Sequence, residues 1–304
     1  MSLLVVGSVA FDCIETPKGK VDDAIGGSAM FFSASASQYT DVRLVAVIGD
    51  DFPDEPISFL NSKGVDTSGL TRAEGKTFRW VGSYGDDLNE ATTLDTQLNV
   101  FGAFKPVLSE TYRSSEYVFL ANIHPDLQRE VLDQVENPKF VALDTMNFWI
   151  EGERESLLKT LERVDMLVLN DAEARSLAQT SNIVKAGNII RTMGPKYVVV
   201  KRGEYGAMLF DGDEIAFAPA FPLEDVFDPT GAGDTFAGGM MGYLSKVDEV
   251  TPATLRQGMI VGCVMASFDV EDFSFNAMRD LTKDAINERL EVFRRMVNYD
   301  TVTV

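Results

Sequence analysis

The chain repeats short runs of Val, Leu and other apolar residues that do not alternate with polar ones. Six such runs are candidate strands, at residues 3–9, 42–49, 117–122, 139–144, 165–170 and 197–203. A run without polar alternation is typical of a strand covered on both faces. Helical stretches follow or separate them, at residues 27–39, 53–63, 125–136, 153–163, 171–180 and 184–193. This order predicts an α/β fold, a doubly wound, mostly parallel sheet flanked by helices.

Two segments interrupt the order, at residues 10–25 and 76–104. Both contain short strand-like pieces and turns, such as TFRWVGSYGDDLN in the second segment. We expect them to leave the main sheet and form a small β lid, and two long surface loops are the alternative. Because no low-complexity linker or internal repeat divides the sequence, we predict a single domain over residues 1–304.

The composition argues against several classes of partner. The chain has 27 Lys and Arg against 47 Asp and Glu, so its formal net charge is −20, which argues against binding to nucleic acid. No apolar stretch reaches the roughly 18 residues of a membrane span, so we expect no membrane contact. Cys13 and Cys263 form no paired framework, so we expect a reducing, cytoplasmic location.

The stretch FDPTGAGDTFAGG at residues 227–239 has more glycine than a helix needs and an acid that a turn does not need. A glycine-rich turn that runs into a helix directs backbone N–H groups toward one point, where the helix start favours an anion. Gly231, Ala232 and Gly233 are small enough for a phosphate to approach them. Asp234 beside such an anion predicts a general base for an attacking hydroxyl. Capping of a helix would explain the acid but not the glycines.

The motif DPTGAGDTFAGG at residues 228–239 resembles the C-terminal signature of the ribokinase family, also called the PfkB carbohydrate kinases. Pro229 stands where members of that family commonly have Thr. The resemblance implies a ribokinase-like fold with a small β lid. It also implies that Asp234 is the catalytic base, that the preceding Gly-Ala-Gly amides form the anion hole, and that Thr230 contacts the nucleotide.

The segment VDMLVLNDAEARSLA at residues 164–178 resembles the family's strand that ends in N-x-x-E, here Asn170 and Glu173. The family uses this pair to organise Mg²⁺, water and phosphate, which makes Glu173 the candidate metal ligand. Independently of the family, an amide and a carboxylate at the carboxyl end of a strand suit a hard cation bound through water. The alternative is a reciprocal cap at the start of a helix.

Two more segments resemble the family in the expected order. The segment VVVKRGEYGAML at residues 198–209 is similar to the one that lines the nucleotide pocket, so Lys201, Gly203 and Gly206 are candidate nucleotide contacts. Taken alone, those glycines would indicate a hairpin turn. The segment VGSVAFD near the start resembles the family's first strand, which leads to an acid that binds substrate hydroxyls, here Asp12.

The acceptor site departs from the family pattern. Gly26 and Gly27 match its Gly-Gly turn, but Phe31 stands where the family usually has an Asn that binds the sugar. A phenyl ring cannot replace the hydrogen bonds of an amide. Phe31 therefore either stacks on a nucleobase or cyclitol or packs in the core. Asp144 and Asn147 in LDTMNFWIE resemble the family's D-x-N with one extra residue, and they either face the substrate or cap the strand end.

Together these motifs predict a kinase that uses ATP and Mg²⁺ to phosphorylate a hydroxyl of a sugar or sugar-like acceptor. A nucleoside or inositol kinase is the alternative, supported by Phe31 alone. A catalytically silent binding protein would be expected to lack Asp234 or the Gly-Ala-Gly, and both are present. A Rossmann dehydrogenase needs G-x-G-x-x-G after the first strand, and VVGSVAFD does not supply it. Some relatives need a monovalent cation, and some form homodimers through the lid, so the resemblance leaves both points open.

Overall fold

The computed structural model describes residues 2–89 and 91–298. The predicted domain over residues 1–304 extends beyond these ranges, and residue 90 of the segment 76–104 lies outside them. The strands are β1 (Ser2–Val6), β2 (Ala10–Thr16), β3 (Gly19–Gly26), β4 (Asp41–Ile48), β5 (Val65–Arg72), β6 (Phe78–Tyr84), β7 (Ala91–Gln97), β8 (Tyr117–Leu120), β9 (Phe140–Asp144), β10 (Met166–Asn170), β11 (Tyr197–Lys201), β12 (Ala207–Asp211) and β13 (Glu214–Ala218). The helices are α1 (Ser28–Ala36), α2 (Asp54–Ser62), α3 (Glu110–Arg113), α4 (Pro125–Leu132), α5 (Asn147–Gly152), α6 (Arg154–Leu161), α7 (Asp171–Ala178), α8 (Ile183–Arg191), α9 (Ala232–Val247), α10 (Pro252–Asp269), α11 (Asn276–Arg279) and α12 (Lys283–Val297).

The main sheet has nine strands in the order β13-β12-β11-β10-β9-β8-β1-β4-β5. The strands from β11 to β5 in this order all pair in parallel. Strands β12 and β13 continue the sheet in antiparallel pairing at one edge. Each of the six candidate strands corresponds to a parallel strand of this sheet, so the predicted doubly wound, mostly parallel sheet is confirmed.

Successive residues of the central strands face two separate apolar layers. In β1, Leu3 and Val5 belong to the layer that includes α1, α9, α10 and α12. Leu4 and Val6 belong to the opposite layer, which includes α4, α6, α7 and α8. Because both faces of each strand need an apolar partner, the strand sequences show no polar alternation.

The two interrupting segments form a second sheet instead of surface loops. It has four strands in the order β3-β2-β6-β7, with β2 and β6 parallel and the two outer pairs antiparallel. Residues 10–25 supply nearly all of β2 and β3, and residues 76–104 supply β6 and β7. Strand β7 is exposed along its whole length. Asp12 lies in this smaller sheet, and Gly26 ends β3.

Two long helices, α10 and α12, are missing from the helical stretches that we predicted, whereas α9 follows the glycine-rich motif as expected. Most of α10 is buried, so its apolar residues cover nearly its whole circumference and give no amphipathic period. Helix α9 has four glycines, which sequence patterns do not associate with a helix interior, so the motif indicated its start and not its length. None of the helices that the structure describes is both long enough and apolar enough to span a membrane.

Helix α9 packs against α1 at positions where it has no side chain. A Cβ atom added to Gly238 would lie 2.4 Å from the backbone oxygen of Phe32 and 2.9 Å from Cβ of Ser35. A Cβ atom added to Gly242 would lie 3.0 Å from the backbone of Ala36. The two helix backbones therefore approach more closely than they could with any larger residue.

We expect Gly238→Ala to lower the free energy of unfolding by about 2 kcal/mol, because its methyl group would overlap the α1 backbone. This loss should appear although Ala favours a helix interior by about 1 kcal/mol over Gly. Gly152→Ala, in α5, is the matched control, since an added Cβ would meet no atom within 4 Å. Urea unfolding of both variants measures the effect, and equal stability of the two variants would contradict it.

Candidate active site

Three neighbouring parallel strands end in polar residues at the same edge of the main sheet. Strands β9, β10 and β11 end at Asp144, Asn170 and Lys201. Asn170 and Lys201 are direct partners in the β10–β11 register. Because parallel strands point the same way, the three side chains lie side by side at the carboxyl edge, where α/β sheets commonly bind ligands.

The first turn of α9 lies over this edge. Gly231 precedes the helix in a left-handed conformation with φ of 84°, and an added Cβ would lie 2.4 Å from the Phe31 ring. Both the backbone angle and the close ring restrict this position to glycine. The first turn of a helix has backbone N–H groups without an intrahelical acceptor, and Asp234 lies in that turn. The structure thus places a carboxylate beside a set of N–H groups suited to an anion.

Lys201 connects the sheet edge to α9. Its Nζ lies 3.8 Å from Oδ2 of Asp144, and the two side chains are only 19% and 8% exposed. A Cβ added to Gly233 would lie 2.6 Å from the same Nζ, so the ammonium group lies against the first turn of α9. The cation therefore lies between a strand-end carboxylate and the predicted anion hole.

Three acids surround this lysine, and their charges disfavour one another. Burial, and then the charge of Asp144, raise the pKa of Asp234 to about 7, although Lys201 lowers it. Burial and Asp144 also raise the pKa of Glu173 to about 7, with Lys201 again opposing. Burial lowers the pKa of Lys201, but the charges of the three acids outweigh it and raise the pKa overall. The lysine therefore stays protonated at neutral pH.

Asn170 and Glu173 form a reciprocal cap at the start of α7. The Glu173 backbone N–H donates to Oδ1 of Asn170, and the Asn170 N–H donates to Oε2 of Glu173, both at 2.8 Å. The capping interpretation of N-x-x-E is thus correct as local structure. Glu173 is also one of the acids around Lys201, so the cap fixes its carboxylate at the site. Within residues 2–89 and 91–298, no group of three or more His, Cys, Asp or Glu side chains could hold a metal ion.

Asp12, Gly26 and Gly27 come together beside α9. An added Cβ on Gly26 would lie 1.9 Å from Oδ2 of Asp12, and one on Gly27 would lie 2.6 Å from the Ser8 carbonyl oxygen. Asp12 is only 5% exposed. Burial, then Asp228, and more weakly Asp234, raise its pKa to about 7, and a hydrogen bond from the Gly27 backbone opposes this. The candidate base, Asp234, is therefore close enough to the candidate acceptor acid, Asp12, for its charge to raise the pKa of Asp12.

Phe31 and Asn147 do not join this group. Phe31 is 1% exposed, and its ring packs beneath Gly231 and edge-on to Phe275 at 6.5 Å. This position favours the packing interpretation of Phe31 over stacking on a base. Asn147 is exposed at the start of α5, and it is Asp144, three residues earlier, that contacts Lys201. The assignment of both residues to substrate binding stays a prediction.

The smaller sheet contacts the site at two points that the sequence analysis missed. The Thr230 hydroxyl donates to the Tyr84 hydroxyl at 3.1 Å, which joins β6 to the loop before α9. Asn89, in the turn after β6, accepts a hydrogen bond from the Glu204 backbone N–H at 3.3 Å. Gly203 and Gly206, which flank this amide, have φ of 53° and 83°. The candidate nucleotide turn is therefore in direct contact with the smaller sheet.

Asp228 and Asp269 form a buried acidic pair. Oδ1 of Asp228 accepts from the Thr230 N–H at 2.9 Å, and Oδ2 accepts from the Ser274 N–H at 3.0 Å. Among the residues that the structure describes, neither carboxylate oxygen of Asp269 has a donor at full hydrogen-bond geometry, and the nearby Thr235 hydroxyl lowers its pKa only in part. Burial, and then the charge of Asp228, raise the pKa of Asp269 well above its ordinary value. Two such acids together need a proton or a cation between them.

Solved structures with the same fold are kinases. One is the aminoimidazole riboside kinase from Salmonella enterica, complexed with aminoimidazole riboside and an ATP analog. It is 18% identical to this chain and superposes with a TM-score of 0.74, covering 95% of this chain and 100% of that one. The architecture is therefore ribokinase-like.

Sequence comparison gives the family. The model of the pfkB family carbohydrate kinases matches residues 1–278. A cytidine kinase from Thermococcus kodakarensis is 30% identical over 253 residues, 81% of this chain and 89% of that protein. A nucleoside kinase from Methanothermobacter thermautotrophicus is 27% identical over 286 residues, 89% of each chain. The chain belongs to the PfkB family, and it is a phosphotransferase with an alcohol group as acceptor.

The buried position of Asp12 gives a pH-dependent prediction. A folded-state pKa near 7 favours the protonated acid in the folded protein, whereas in the unfolded chain the carboxyl ionises near its ordinary pKa of 3.8. The resulting stabilisation is complete below pH 3.8 and is lost as the pH rises through 7. We therefore expect the unfolding free energy of wild type to fall relative to Asp12→Asn by about 1 kcal/mol per pH unit between pH 5 and 7.

Urea unfolding at half-unit steps between pH 5 and 8 measures this difference. The matched control is Asp22→Asn, on the neighbouring strand β3, where the side chain is exposed. We expect that variant to follow the wild-type pH dependence. Parallel pH curves for wild type and Asp12→Asn would show that folding does not raise the pKa of the Asp12 carboxyl.

Proposed function

We propose that the protein is an ATP-dependent nucleoside kinase in which Asp234 removes the proton of the acceptor hydroxyl. The observation that carries the proposal is the first turn of α9, which brings Asp234, the Gly-Ala-Gly backbone and Lys201 together at the carboxyl edge of the sheet. Kinases of this family use ATP. The choice of a nucleoside rests on the relatives, because a cytidine kinase and a nucleoside kinase both cover most of the chain.

Asp234 is suited to proton removal by its environment. Burial, and then the charge of Asp144, raise its pKa to about 7, so it binds a proton more strongly than an ordinary carboxylate at the same pH. The acceptor oxygen then forms its bond to the γ-phosphorus while the bond to the bridging oxygen of ADP breaks, and Asp234 holds the released proton. The amides of Gly231, Ala232 and Gly233 stabilise the charge on the phosphoryl oxygens.

Asn170 and Glu173 are the residues that would hold Mg²⁺. Their reciprocal cap fixes the Glu173 carboxylate at the sheet edge, and a single buried carboxylate with an amide fits an ion that keeps most of its water ligands. When bound, Mg²⁺ supplies positive charge to the phosphate oxygens of the donor. Thr230, Gly203 and Gly206 would contact the nucleotide from the turns on either side.

Asp12 and the Gly26–Gly27 turn would hold hydroxyl groups of the acceptor. Gly26 leaves the Asp12 carboxylate uncovered by a side chain, and the acid is close enough to Asp234 for the two charges to interact. Two adjacent ribose hydroxyls could each donate to this carboxylate. A sugar would present the same hydroxyls, so the nucleobase has to be distinguished by experiment. A reducing cytoplasm stays our expectation for the location, and a homodimer remains open.

We also propose a monovalent cation between Asp228 and Asp269. The unpartnered oxygens of Asp269 and its raised pKa support this, because a cation would satisfy both acids without a proton. The Asp228 carboxylate also holds the Thr230 amide in the loop before α9, so an ion there would act on the anion hole. We expect turnover to rise at least about tenfold when K⁺ replaces tetramethylammonium, a cation too large for such a site.

Potassium activation is measured at constant ionic strength over a range of K⁺ concentrations. Asp269→Asn should lose most of the activation, because an amide carries no charge to balance a cation. Asp272→Asn, an exposed acid in the following turn, is the control and should keep it. Equal turnover in both salts would remove the cation from this proposal.

The kinase proposal is tested by ADP release from ATP and Mg²⁺ with cytidine, other nucleosides, pentoses, hexoses and inositols. We expect a nucleoside to give the highest kcat/KM and Asp234→Asn to lower that value by about 10³-fold or more, because the base is lost. Asp248→Asn, at the far end of α9, should keep wild-type turnover. Asp234→Asn should keep its affinity for ADP by calorimetry, which separates loss of the base from loss of the fold.

Two outcomes would contradict the proposal in different ways. Turnover of hexoses or inositols above all nucleosides would overturn the acceptor class but leave the kinase mechanism in place. Normal turnover in Asp234→Asn would remove Asp234 from the role of base.

A further inference from the structure

The Lys201 ammonium group lies between two parts of the site. On one side is the Asp144 carboxylate, and on the other is the first turn of α9, where Gly233 leaves room for the ammonium group. Asp144 is at 3.8 Å, which is within ion-pair range but longer than a hydrogen bond. A buried ion pair that contributes to stability needs close, hydrogen-bonded geometry. The pairing with Asp144 is therefore loose enough to be exchanged for another anion.

The charges at the site also disfavour an anionic donor, because three acids surround one lysine. Asp144, Glu173 and Asp234 face Lys201 from β9, α7 and α9, and all three interact electrostatically with it. A phosphate group that enters the anion hole must approach these acids, which repel it. The Nζ atom lies against Gly233, so an oxygen bound by the amides of that turn comes within reach of the ammonium group. Lys201 is also the cation whose charge lowers the pKa of Asp234 in this turn.

We propose that Lys201 exchanges Asp144 for the transferred phosphoryl group when the donor binds. This inference rests on the proposed kinase function and deepens it. Lys201 is then a catalytic residue that contacts the γ-phosphoryl oxygens and keeps its own proton throughout. Asp144 is a positioning residue, which holds the ammonium beside α9 until the donor arrives. The proton of the acceptor still goes to Asp234, and ADP leaves with the bridging oxygen.

The first test compares ligands with and without a γ-phosphate. In Lys201→Met we expect the affinity for a non-hydrolysable ATP analogue to fall about tenfold or more by calorimetry. The affinity for ADP should stay within about threefold of wild type, because ADP lacks the group that Lys201 contacts. Equal losses for both ligands would overturn the proposal and make Lys201 an ordinary contact to the inner phosphates. Unchanged affinity for both would also overturn it.

The second test separates catalysis from stability. Lys201→Met leaves the Asp144 carboxylate buried without a cation, with the Thr145 N–H as its remaining hydrogen-bond donor. We therefore expect a lower Tm, and Asp144→Asn in addition should restore most of it. The double variant should still show kcat reduced by about 10²-fold or more, because the phosphoryl oxygens have lost a charged donor. Recovery of kcat together with Tm would mean that the ion pair is only structural. Lys201→Arg should keep more kcat than Lys201→Met, since it keeps the charge.

Lys139→Met is the matched control. Lys139 precedes β9 at the opposite edge of the sheet and pairs with Asp248 and Glu116, both at 2.8 Å. Its loss should leave kcat and both ligand affinities unchanged. The calorimetry needs no acceptor, so it decides the role of Lys201 even if the acceptor class is wrong. Normal turnover in Asp234→Asn would contradict the role of Asp234 as base. The comparison of ATP-analogue and ADP affinities would still test the role of Lys201.

Discussion

The site depends on how closely α9 lies against α1. Gly238 and Gly242 bring the two helix backbones into contact, and that contact sets where α9 begins. Gly231 then turns the chain in a left-handed conformation over the Phe31 ring, which lies in the same apolar layer. The N–H groups of the first turn consequently lie over the carboxyl edge of the sheet. A larger residue at either interface would move the amides away from Lys201, so the position of the proposed anion hole follows from helix packing.

The buried acids of the site lower the stability of the folded chain, and other parts of the fold offset this loss. Burial raises the pKa of Asp12, Glu173 and Asp234 to about 7, which means that each ionised form is less stable in the folded chain than in water. One buried lysine offsets part of this repulsion. The remaining compensation comes from two apolar layers that cover both faces of the main sheet. A ligand that brings positive charge to the site would reduce the repulsion between these acids and stabilise the folded chain.

The sequence could predict what local patterns encode. Apolar runs located six of the seven parallel strands, all except β5, and the glycine-rich motif located the start of α9, because both depend on neighbouring residues. The pairing of Asp228 with Asp269 and the contact of Asn89 with Gly203 join distant parts of the chain, and no local pattern carries them. Helix α10 was missed because burial on all sides removes the amphipathic period. For Asp144 the sequence left open a contact to the substrate or a cap of the strand end, and it did not indicate the ion pair with Lys201, which lies two strands away.

The smaller sheet links the acceptor side of the site to the donor side. Asp12 on β2 pairs in register with Trp80 on β6, and β6 ends at Tyr84, which contacts Thr230. The turn after β6 carries Asn89 to the candidate nucleotide turn. Any shift of this sheet must therefore move the acceptor acid together with two donor-side contacts. In the proposed kinase, one element would thus contact both substrates, and we expect it to exclude water from the reacting groups only when both substrates are bound.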